Sequence, residues 1–231
     1  TFIRMMHGDC IEAMKHLEDG SVDLILTDLP YGTTLCKWDE VINFEALWEQ
    51  YHRVIKDNGA IVLFSKQPFT SKLISSNYKN FKYTLVWEKD NHDNPLMAKK
   101  RFLNITEDIC IFYKKQCNYY PQGLVEVNKI TKQGRGESLS QKNTRNSSYV
   151  QQFTNYPKNI LKFKRDLPNI FPTQKPVALL EYLIKTFTQE GEVVLDSTMG
   201  SCSTGIACIN TNRSFIGMEI NDEHYEQAKK R

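Results

Sequence analysis

Residues 193–205 read VVLDSTMGSCSTG, and this stretch decides the class of fold. Its first three residues have the apolar, β-branched character of a buried strand, and Asp196 follows directly. Gly200 and Gly205 then bracket a loop of small residues that opens a helical pattern. Small residues let a ligand approach the backbone N–H groups at the start of a helix. The stretch therefore predicts a strand, loop and helix that bind a nucleotide-like ligand, although glycines that merely save space would give the same unit.

The residues around this loop narrow the choice of ligand. It is not a Walker A loop, because Ile206 and Ala207 stand where Lys and Ser or Thr are required. The carboxylate of Asp196 would repel a pyrophosphate but would suit an ammonium group. Glu219 ends the next strand pattern, 23 residues later, where it can accept both hydroxyls of a ribose. An adenosine that carries an amino acid and no phosphate is S-adenosylmethionine.

Strand-like and helix-like patterns alternate through the first half of the chain. Residues 22–28 and 60–65 are nearly continuous apolar runs, and residues 44–55 carry apolar side chains at helical spacing. Nearly continuous apolar strands separated by helices are typical of a parallel sheet covered on both faces. We therefore predict a doubly wound, mostly parallel α/β fold. Its glycine loop comes near the C-terminus, whereas in most such folds it comes first.

A second motif, TDLPYG at residues 27–32, lies where an early strand ends. The Asp28 carboxylate and a backbone carbonyl beside Pro30 can accept both N–H groups of an exocyclic amine. Such acceptors localise the lone pair of a poor nucleophile for attack on a methyl sulfonium, and Asp28 can receive the proton. Tyr31 can stack on a base that has left the helix. Taken alone, the motif is explained slightly better by a turn with a core tyrosine.

Positive charge is concentrated in one part of the chain. The net charge is +3, but residues 114–165 contain eleven Lys or Arg and two acids, so the remainder is mildly acidic. An excess of this size marks a polyanion-binding surface more often than a solvated loop. The same region, from about 116 to 169, loses the strand and helix patterns and is rich in Asn, Gln, Ser, Lys and Tyr. It is therefore predicted to be a nucleic-acid-binding insertion.

Composition and cysteine spacing argue against other classes of protein. No apolar run approaches the roughly 18 residues of a membrane span, and no signal peptide is visible. The six cysteines include no CxxC pair, so neither a disulfide framework nor a zinc site is expected. We expect a cytoplasmic protein with no metal and no membrane partner.

In this order the motifs resemble those of the S-adenosylmethionine-dependent amino-group DNA methyltransferases, the N6-adenine and N4-cytosine methylase family. The likeness is to the circularly permuted β class, and it covers about residues 6–112 and 171–231. TDLPYG resembles the catalytic (D/N/S)PP(Y/F) motif, and DSTMGSCSTG resembles the cofactor loop. FPTQKP, GME and HGDC resemble the segment before the cofactor strand, the ribose-binding strand end and the adenine-contacting position. The resemblance implies a Rossmann-like methyltransferase fold with an inserted target-recognition segment.

The resemblance also implies roles for individual residues. Asp28, with carbonyls around Pro30, would bind the target amine, and Tyr31 would stack on the flipped base. An acid in the first position favours adenine N6 as the target. The cofactor would meet Asp9 at its adenine, Glu219 at its ribose and Asp196 at its amino group, with Gly200, Ser201, Thr204, Thr173 and Lys175 nearby. The phosphates of DNA would be neutralised by Lys142, Arg145, Lys158, Lys162, Lys164 and Arg165.

These motifs divide one methyltransferase core into three parts. Residues 1–113 are expected to form its catalytic half, residues 114–170 the basic target-recognition insertion, and residues 171–231 its cofactor-binding half. The expected partner is double-stranded DNA, as for a restriction-modification enzyme, and the protein is expected to be a monomer or a homodimer.

Three departures from the family pattern bear on activity. Leu29 replaces the first proline of the catalytic motif, Ser197 and Thr198 replace Pro-Phe, and Cys202 replaces a glycine. Two alternatives therefore stay open at this point. One is N4-cytosine methylation, and the other is a DNA-binding relative whose catalysis is impaired.

Overall fold

The fold is taken from a computed structural model, which describes residues 1–32, 40–93, 95–133, 136–138, 141–143, 147–167 and 174–231. Its strands are β1 (Ile3–His7), β2 (Val22–Asp28), β3 (Ile55–Ser65), β4 (Phe81–Asp93), β5 (Asn104–Phe112), β6 (Val125–Gln133), β7 (Gly136–Ser138), β8 (Gln141–Asn143), β9 (Ser147–Thr154), β10 (Ile160–Lys162), β11 (Val193–Asp196) and β12 (Ser214–Glu219). Its helices are α1 (Cys10–Met14), α2 (Phe44–Val54), α3 (Phe69–Ser76), α4 (Val177–Phe187), α5 (Ser203–Asn210) and α6 (Asp222–Lys230), with a 3-10 turn at Pro95–Met97. None of the described helices is long and apolar enough to cross a membrane.

Eight strands form one sheet, in the order β1-β12-β11-β2-β3-β5-β4-β10. All neighbouring pairs are parallel except β3 with β5 and β4 with β5. The predicted doubly wound, mostly parallel sheet is therefore confirmed. The antiparallel strand β5 lies near one edge, where many otherwise parallel sheets carry one.

Both faces of this sheet are buried, because alternate residues of its strands point to opposite sides. Along β3, Ala60, Val62 and Phe64 belong to one apolar cluster, which also contains the buried residues of α4 and α5. Ile61 and Leu63 belong to the other, together with the buried residues of α1, α2 and α3. This explains why β2 and β3 read as continuous apolar runs rather than as alternating ones.

The sheet reverses its winding direction between β11 and β2. From β11 the chain order continues outward through β12, and from β2 it continues outward through β3 on the other side. In open α/β sheets, ligands bind at the carboxyl ends of the strands at such a switch point. Asp196 ends β11 and Asp28 ends β2, so the DSTMGSCSTG and TDLPYG motifs meet at this switch point.

Residues 121–158 form a second compact unit. Strands β6 and β9 pair antiparallel, with Ile130 opposite Val150 and Thr131 opposite Tyr149, and β7 pairs with β8. The sequence pattern predicted no strands in this region. Among the side chains that the structure describes, Ile130 and Val150 are exposed on one face of the ribbon and Tyr149 on the other, so an apolar alternation is missing from the sequence. Strand β10, which follows this unit, pairs with β4 in the large sheet.

We predict that Leu63→Ala lowers the free energy of unfolding by about 2–5 kcal/mol, because Leu63 is fully buried in β3 and its truncation leaves a cavity. Urea unfolding followed by circular dichroism measures the change. The matched control is Leu167→Ala, which removes the same atoms from a side chain that is 86% exposed and should change stability by less than about 0.5 kcal/mol. Equal losses in the two variants would contradict the assignment of Leu63 to the core.

Candidate active site

A cavity of about 680 Å³ opens at the carboxyl ends of β11 and β2. Its size lies in the range of sites that enclose a small molecule or cofactor. Ten of the residues predicted for catalysis or cofactor binding line it, namely Asp9, Asp28, Pro30, Tyr31, Lys175, Asp196, Gly200, Ser201, Thr204 and Glu219. Segments that are far apart in the sequence are thus brought to one place.

The Asp28 carboxylate has a partner on each oxygen. The Lys175 ammonium lies 2.5 Å from Asp28 Oδ2, and the Tyr31 hydroxyl donates to Asp28 Oδ1 at 2.6 Å. Both partners also reach Glu107, at 2.9 Å from Lys175 and 3.0 Å from Tyr31 Oη. These four side chains form a closed set of contacts, in which the single hydroxyl proton of Tyr31 is donated to one carboxylate at a time. The hydrogen bonds in the set are charge-assisted, which is the stronger kind. The set fixes where the tip of the catalytic motif lies.

This set continues into a chain of alternating charges along β4 and β5. Lys89 lies 3.1 Å from Glu107 Oε2 and 3.3 Å from Asp93 Oδ2. Lys66 lies 2.5 Å from the same Asp93 oxygen. Each buried or half-buried charge therefore faces an opposite one, as burial requires. Sequence reasoning missed Glu107, because the adjacent acids Glu107 and Asp108 near the start of a strand look like ordinary solvent-facing residues.

Burial and charge act in opposite directions on the ionisation of this set. Burial raises the pKa of Asp28 above its usual value, while the Lys175 ammonium pulls it down and the Glu107 carboxylate adds to the rise. Lys175 keeps a raised pKa because the two carboxylates outweigh the effect of its own burial. Lys175 is therefore a permanent cation at the catalytic end of the cavity.

Asp196 is held by three threonines at the centre of the cavity. The hydroxyls of Thr27 and Thr204 donate to its two oxygens at 2.5 and 2.6 Å, and the Thr198 N–H donates to Oδ1 at 3.2 Å. Burial raises the pKa of Asp196 to about 6, although these hydrogen bonds lower it and the nearby Asp28 raises it. A cationic ligand would stabilise the ionised form of such a buried carboxylate. Oδ2 accepts from one donor among the described residues, which leaves an acceptor position for such a ligand.

The far end of the cavity carries two further carboxylates. Glu219 accepts the Gly200 N–H at 3.0 Å and the Asn221 N–H at 2.8 Å, which orients its side chain across the loop after β11. Gly200 has φ +45°, a left-handed conformation that glycine adopts without strain. Asp9 caps α1, accepting the Ile11 N–H at 2.8 Å. Both acids thus have fixed orientations toward the cavity that they line.

The residues that depart from the family pattern have partners here. Thr198 Oγ1 donates to the Asp28 carbonyl at 2.8 Å, and Ser197 Oγ lies 2.6 Å from Tyr51 Oη. Leu29 is buried in the cluster beneath α2. Cys202 adopts φ 61°, a left-handed conformation in which a non-glycine residue costs about 1–2 kcal/mol. The sequence could not assign these contacts, because each joins residues that are distant along the chain.

The predicted DNA-binding residues fall into three groups: some pair with carboxylates, some are exposed without such a pair among the described residues, and some are not fully described. Lys162 pairs with Glu88 at 3.1 Å and Arg165 with Asp90 at 3.2 Å, whereas Lys158 and Lys164 are exposed. Arg145 and the predicted cofactor residue Thr173 lie outside the described residues, and only the backbone of Lys142 is described, in β8.

Comparison with known proteins identifies relatives along nearly the whole chain. A profile of the DNA methylase family matches residues 22–230. The DNA adenine methyltransferase YhdJ of Escherichia coli (strain K12) is 31% identical over 247 residues, covering 98% of this chain and 81% of that protein. The type II methyltransferase M.HpaI of Haemophilus parainfluenzae is 30% identical over 241 residues, covering 99% of this chain and 73% of that protein.

Solved structures give the same picture. The crystal structure of the M1.HpyAVI–SAM complex has a TM-score of 0.67 and 27% identity, with 100% of both chains covered. The PvuII DNA methyltransferase (cytosine-N4-specific) has a TM-score of 0.70 at 15% identity, covering 99% of this chain and 86% of that one. At that identity the second comparison shows the fold alone.

We predict that Asp196→Asn stabilises the cofactor-free protein more at pH 8 than at pH 4. A carboxyl group with a raised folded-state pKa contributes stability below its unfolded pKa, and this is lost as pH rises through the folded value of about 6. Asparagine does not ionise, so its advantage should grow by about 3 kcal/mol across that window. Urea unfolding of both proteins at the two pH values measures it. An advantage that does not change with pH would show that Asp196 ionises without cost.

Proposed function

This chain belongs to the DNA methylase family, and from that premise we propose that it transfers a methyl group from S-adenosylmethionine to N6 of adenine in double-stranded DNA. The observation that carries the proposal is the single cavity in which the Asp28 end of the catalytic motif meets the Asp196 loop and Glu219. Adenine is favoured because the first motif residue is an acid. The relative YhdJ, named a DNA adenine methyltransferase, supports the same target.

The residues of the cavity fit S-adenosylmethionine. Glu219 has remaining acceptor positions for a ribose, and Asp9 lines the same end of the cavity for the adenine. The buried Asp196 Oδ2 suits the amino group, beside Gly200, Ser201 and Thr204. The bound cofactor would supply a methyl group made electrophilic by its sulfonium.

The chain's own residues would then prepare the target amine. Asp28 Oδ1 and a carbonyl beside Pro30 are the acceptors for the two N–H groups, which leaves the nitrogen lone pair directed at the methyl group. The proton released after transfer goes to Asp28 or on to solvent. The Tyr31 hydroxyl donates to Oδ1, and this oxygen has a second acceptor position for the incoming amine. The ring of Tyr31, which stacks on Phe69 at 5.0 Å, is proposed to stack on the target base.

Recognition of DNA is proposed for the basic segment 114–170. Its excess of positive charge suits phosphates, and Lys142, Arg145, Lys158, Lys162, Lys164 and Arg165 are proposed to neutralise them. Lys162 and Arg165 would exchange their present carboxylate partners for phosphates. The five described cysteines are free thiols, which agrees with a reducing cytoplasm as the proposed location.

The test of this function is a transfer assay on DNA of mixed sequence. The protein is incubated with methyl-labelled S-adenosylmethionine and unmethylated DNA, which is then digested to nucleosides and separated. Label in N6-methyladenine is expected. Label in N4-methylcytosine would show that the target is cytosine and not adenine. DNA binding without label, in the presence of bound cofactor, would instead assign the chain to catalytically impaired relatives.

We predict that Asp28→Ala reduces methyl transfer at least about 100-fold, because the amine loses its acceptor. Affinity for S-adenosylmethionine, measured by calorimetry, should stay within a few-fold of the native value. The matched control is Asp57→Ala. Asp57 lies near the start of β3, far from the end of that strand that lies beside Asp28, and among the described residues it pairs only with the exposed Lys115. A large loss of cofactor affinity in Asp28→Ala would contradict the role given to Asp28.

We predict that Lys175→Met moves the acidic limb of the pH–rate profile to higher pH. The Lys175 ammonium lowers the pKa of Asp28, so its removal leaves burial and Glu107 to raise that pKa further. Transfer should therefore fall more at low pH than at high pH. Lys175→Arg keeps the cation and should keep the native limb. A loss of the same factor at every pH would show that Lys175 acts on the structure and not on ionisation of Asp28.

A further inference from the structure

The turn between β4 and β5 carries an unusual combination of exposed side chains. Residues 95–102, named here the β4–β5 tip, read PLMAKKRF. Phe102 is 101% exposed and Leu96 is 88% exposed. Lys99, Lys100 and Arg101 stand between them and are also exposed. In the part of the chain that the structure describes, none of these three cations has a carboxylate within 4.0 Å.

The sheet places this tip at the same edge as the active site. Asp28, at the end of β2, lies opposite Phe64 of the parallel strand β3. Ser65, one residue further, lies opposite Asp108 near the start of β5. The tip precedes β5 and follows β4, so it projects beyond the edge at which Asp28 stands. β5 itself delivers Glu107 to Tyr31 and Lys175.

The base of the tip is held by charges that lead to the catalytic carboxylate. Asp93, the last residue of β4, binds Lys66 at 2.5 Å and Lys89 at 3.3 Å. Lys89 also binds Glu107, which shares Lys175 with Asp28. The tip is thus anchored to the same network of ion pairs that fixes Asp28. A surface contact made at the tip has a defined position relative to the reaction centre.

We propose that the β4–β5 tip binds the DNA duplex beside the target adenine. Lys99, Lys100 and Arg101 contact phosphates, and Phe102 packs against the bases next to the one that leaves the stack. Large apolar side chains flanked by cations are what proteins insert between base steps when they deform DNA. The proposal rests on the proposed function for its partner, and it assigns to the core a DNA contact separate from the basic segment 114–170.

A second copy of this chain is the rival occupant of the tip. Two copies that met tip to tip would bring six cations together, which opposes association. A duplex offers the opposite charge and must in any case approach this edge to reach Asp28. DNA is therefore the occupant that both the charge and the position of the tip favour.

The cations are tested by the salt dependence of binding to a labelled duplex of about 30 base pairs of mixed sequence, measured by fluorescence anisotropy. The variant is Lys99→Ala/Lys100→Ala. It should bind about tenfold more weakly, and the slope of log K against log salt should lessen by about 0.9 for each lost phosphate contact. The matched control, Lys79→Ala/Lys82→Ala, removes two exposed lysines at the opposite end of β4 and should change affinity less than about twofold.

The aromatic contact is tested with Phe102→Ala, Phe102→Trp and the control Tyr78→Ala, which removes an exposed aromatic from the opposite end of the hairpin. The target adenine is first located by sequencing DNA that the protein has methylated. Fluorescence is then measured on a duplex with 2-aminopurine at that position, and the transfer rate on the unsubstituted duplex. Phe102→Ala should reduce both the fluorescence rise and the transfer rate by about tenfold, in keeping with the loss of one base contact. Phe102→Trp and Tyr78→Ala should retain both signals.

Each result decides the proposal. Equal salt slopes for the lysine variant and its control, or a native 2-aminopurine signal in Phe102→Ala, would overturn it. If a tip variant and the native protein differ in sedimentation coefficient but bind DNA equally well, the tip is assigned to contact with a second copy of this chain instead. The two claims can fail separately. DNA binding by the tip is measured by anisotropy, which needs no methyl transfer, whereas the proposed function is tested by the nucleoside assay on the native protein.

Discussion

The arrangement of the active site depends on one buried ammonium group. Lys175 lies between Asp28 and Glu107, at 2.5 and 2.9 Å, and without it two carboxylates would face each other away from water. Removing one partner from such a cluster typically costs 3–5 kcal/mol, because the remaining charge is left uncompensated. The three residues come from the end of β2, from β5 and from the segment before α4. Charge neutralisation therefore joins segments from the N- and C-terminal parts of the chain at the point where chemistry is proposed, and it holds the end of the TDLPYG motif although Leu29 replaces a proline.

The sequence was sufficient for the mostly parallel centre of the sheet and for the position of the cavity. Strands buried on both faces must be apolar throughout, so β2 and β3 could be read from composition alone. Asp28 and Asp196 each follow such a strand, and the carboxyl ends of neighbouring parallel strands lie at one edge. The meeting of two motifs far apart in the chain was thus predictable once the sheet was. Ten of the predicted residues line one cavity, while their individual roles stay predictions.

Other features could not be predicted, for identifiable reasons. Glu107 acquires its meaning only from partners in distant segments, and nothing in its neighbours along β5 announces them. The β6–β9 ribbon is exposed on both sides, so it lacks the alternation by which a half-buried strand is recognised. Strand β10 has only three residues, which is too short for a recognisable pattern, and it forms because it pairs with β4. In each case the determining contact is long-range, whereas sequence patterns report local preference and burial.

The hydroxyl of Thr198 gives the two binding events a common framework. It donates to the carbonyl of Asp28, while the Thr198 N–H and the neighbouring Thr27 hydroxyl hold the carboxylate of Asp196. A shift of the loop after β11 is therefore transmitted directly to the end of β2, the two places proposed to receive cofactor and base. If cofactor binding shifts this unit, the same free energy must appear in the affinity for DNA. The hydroxyl of Thr198, which the Phe of the family pattern lacks, supplies the contact with the Asp28 carbonyl.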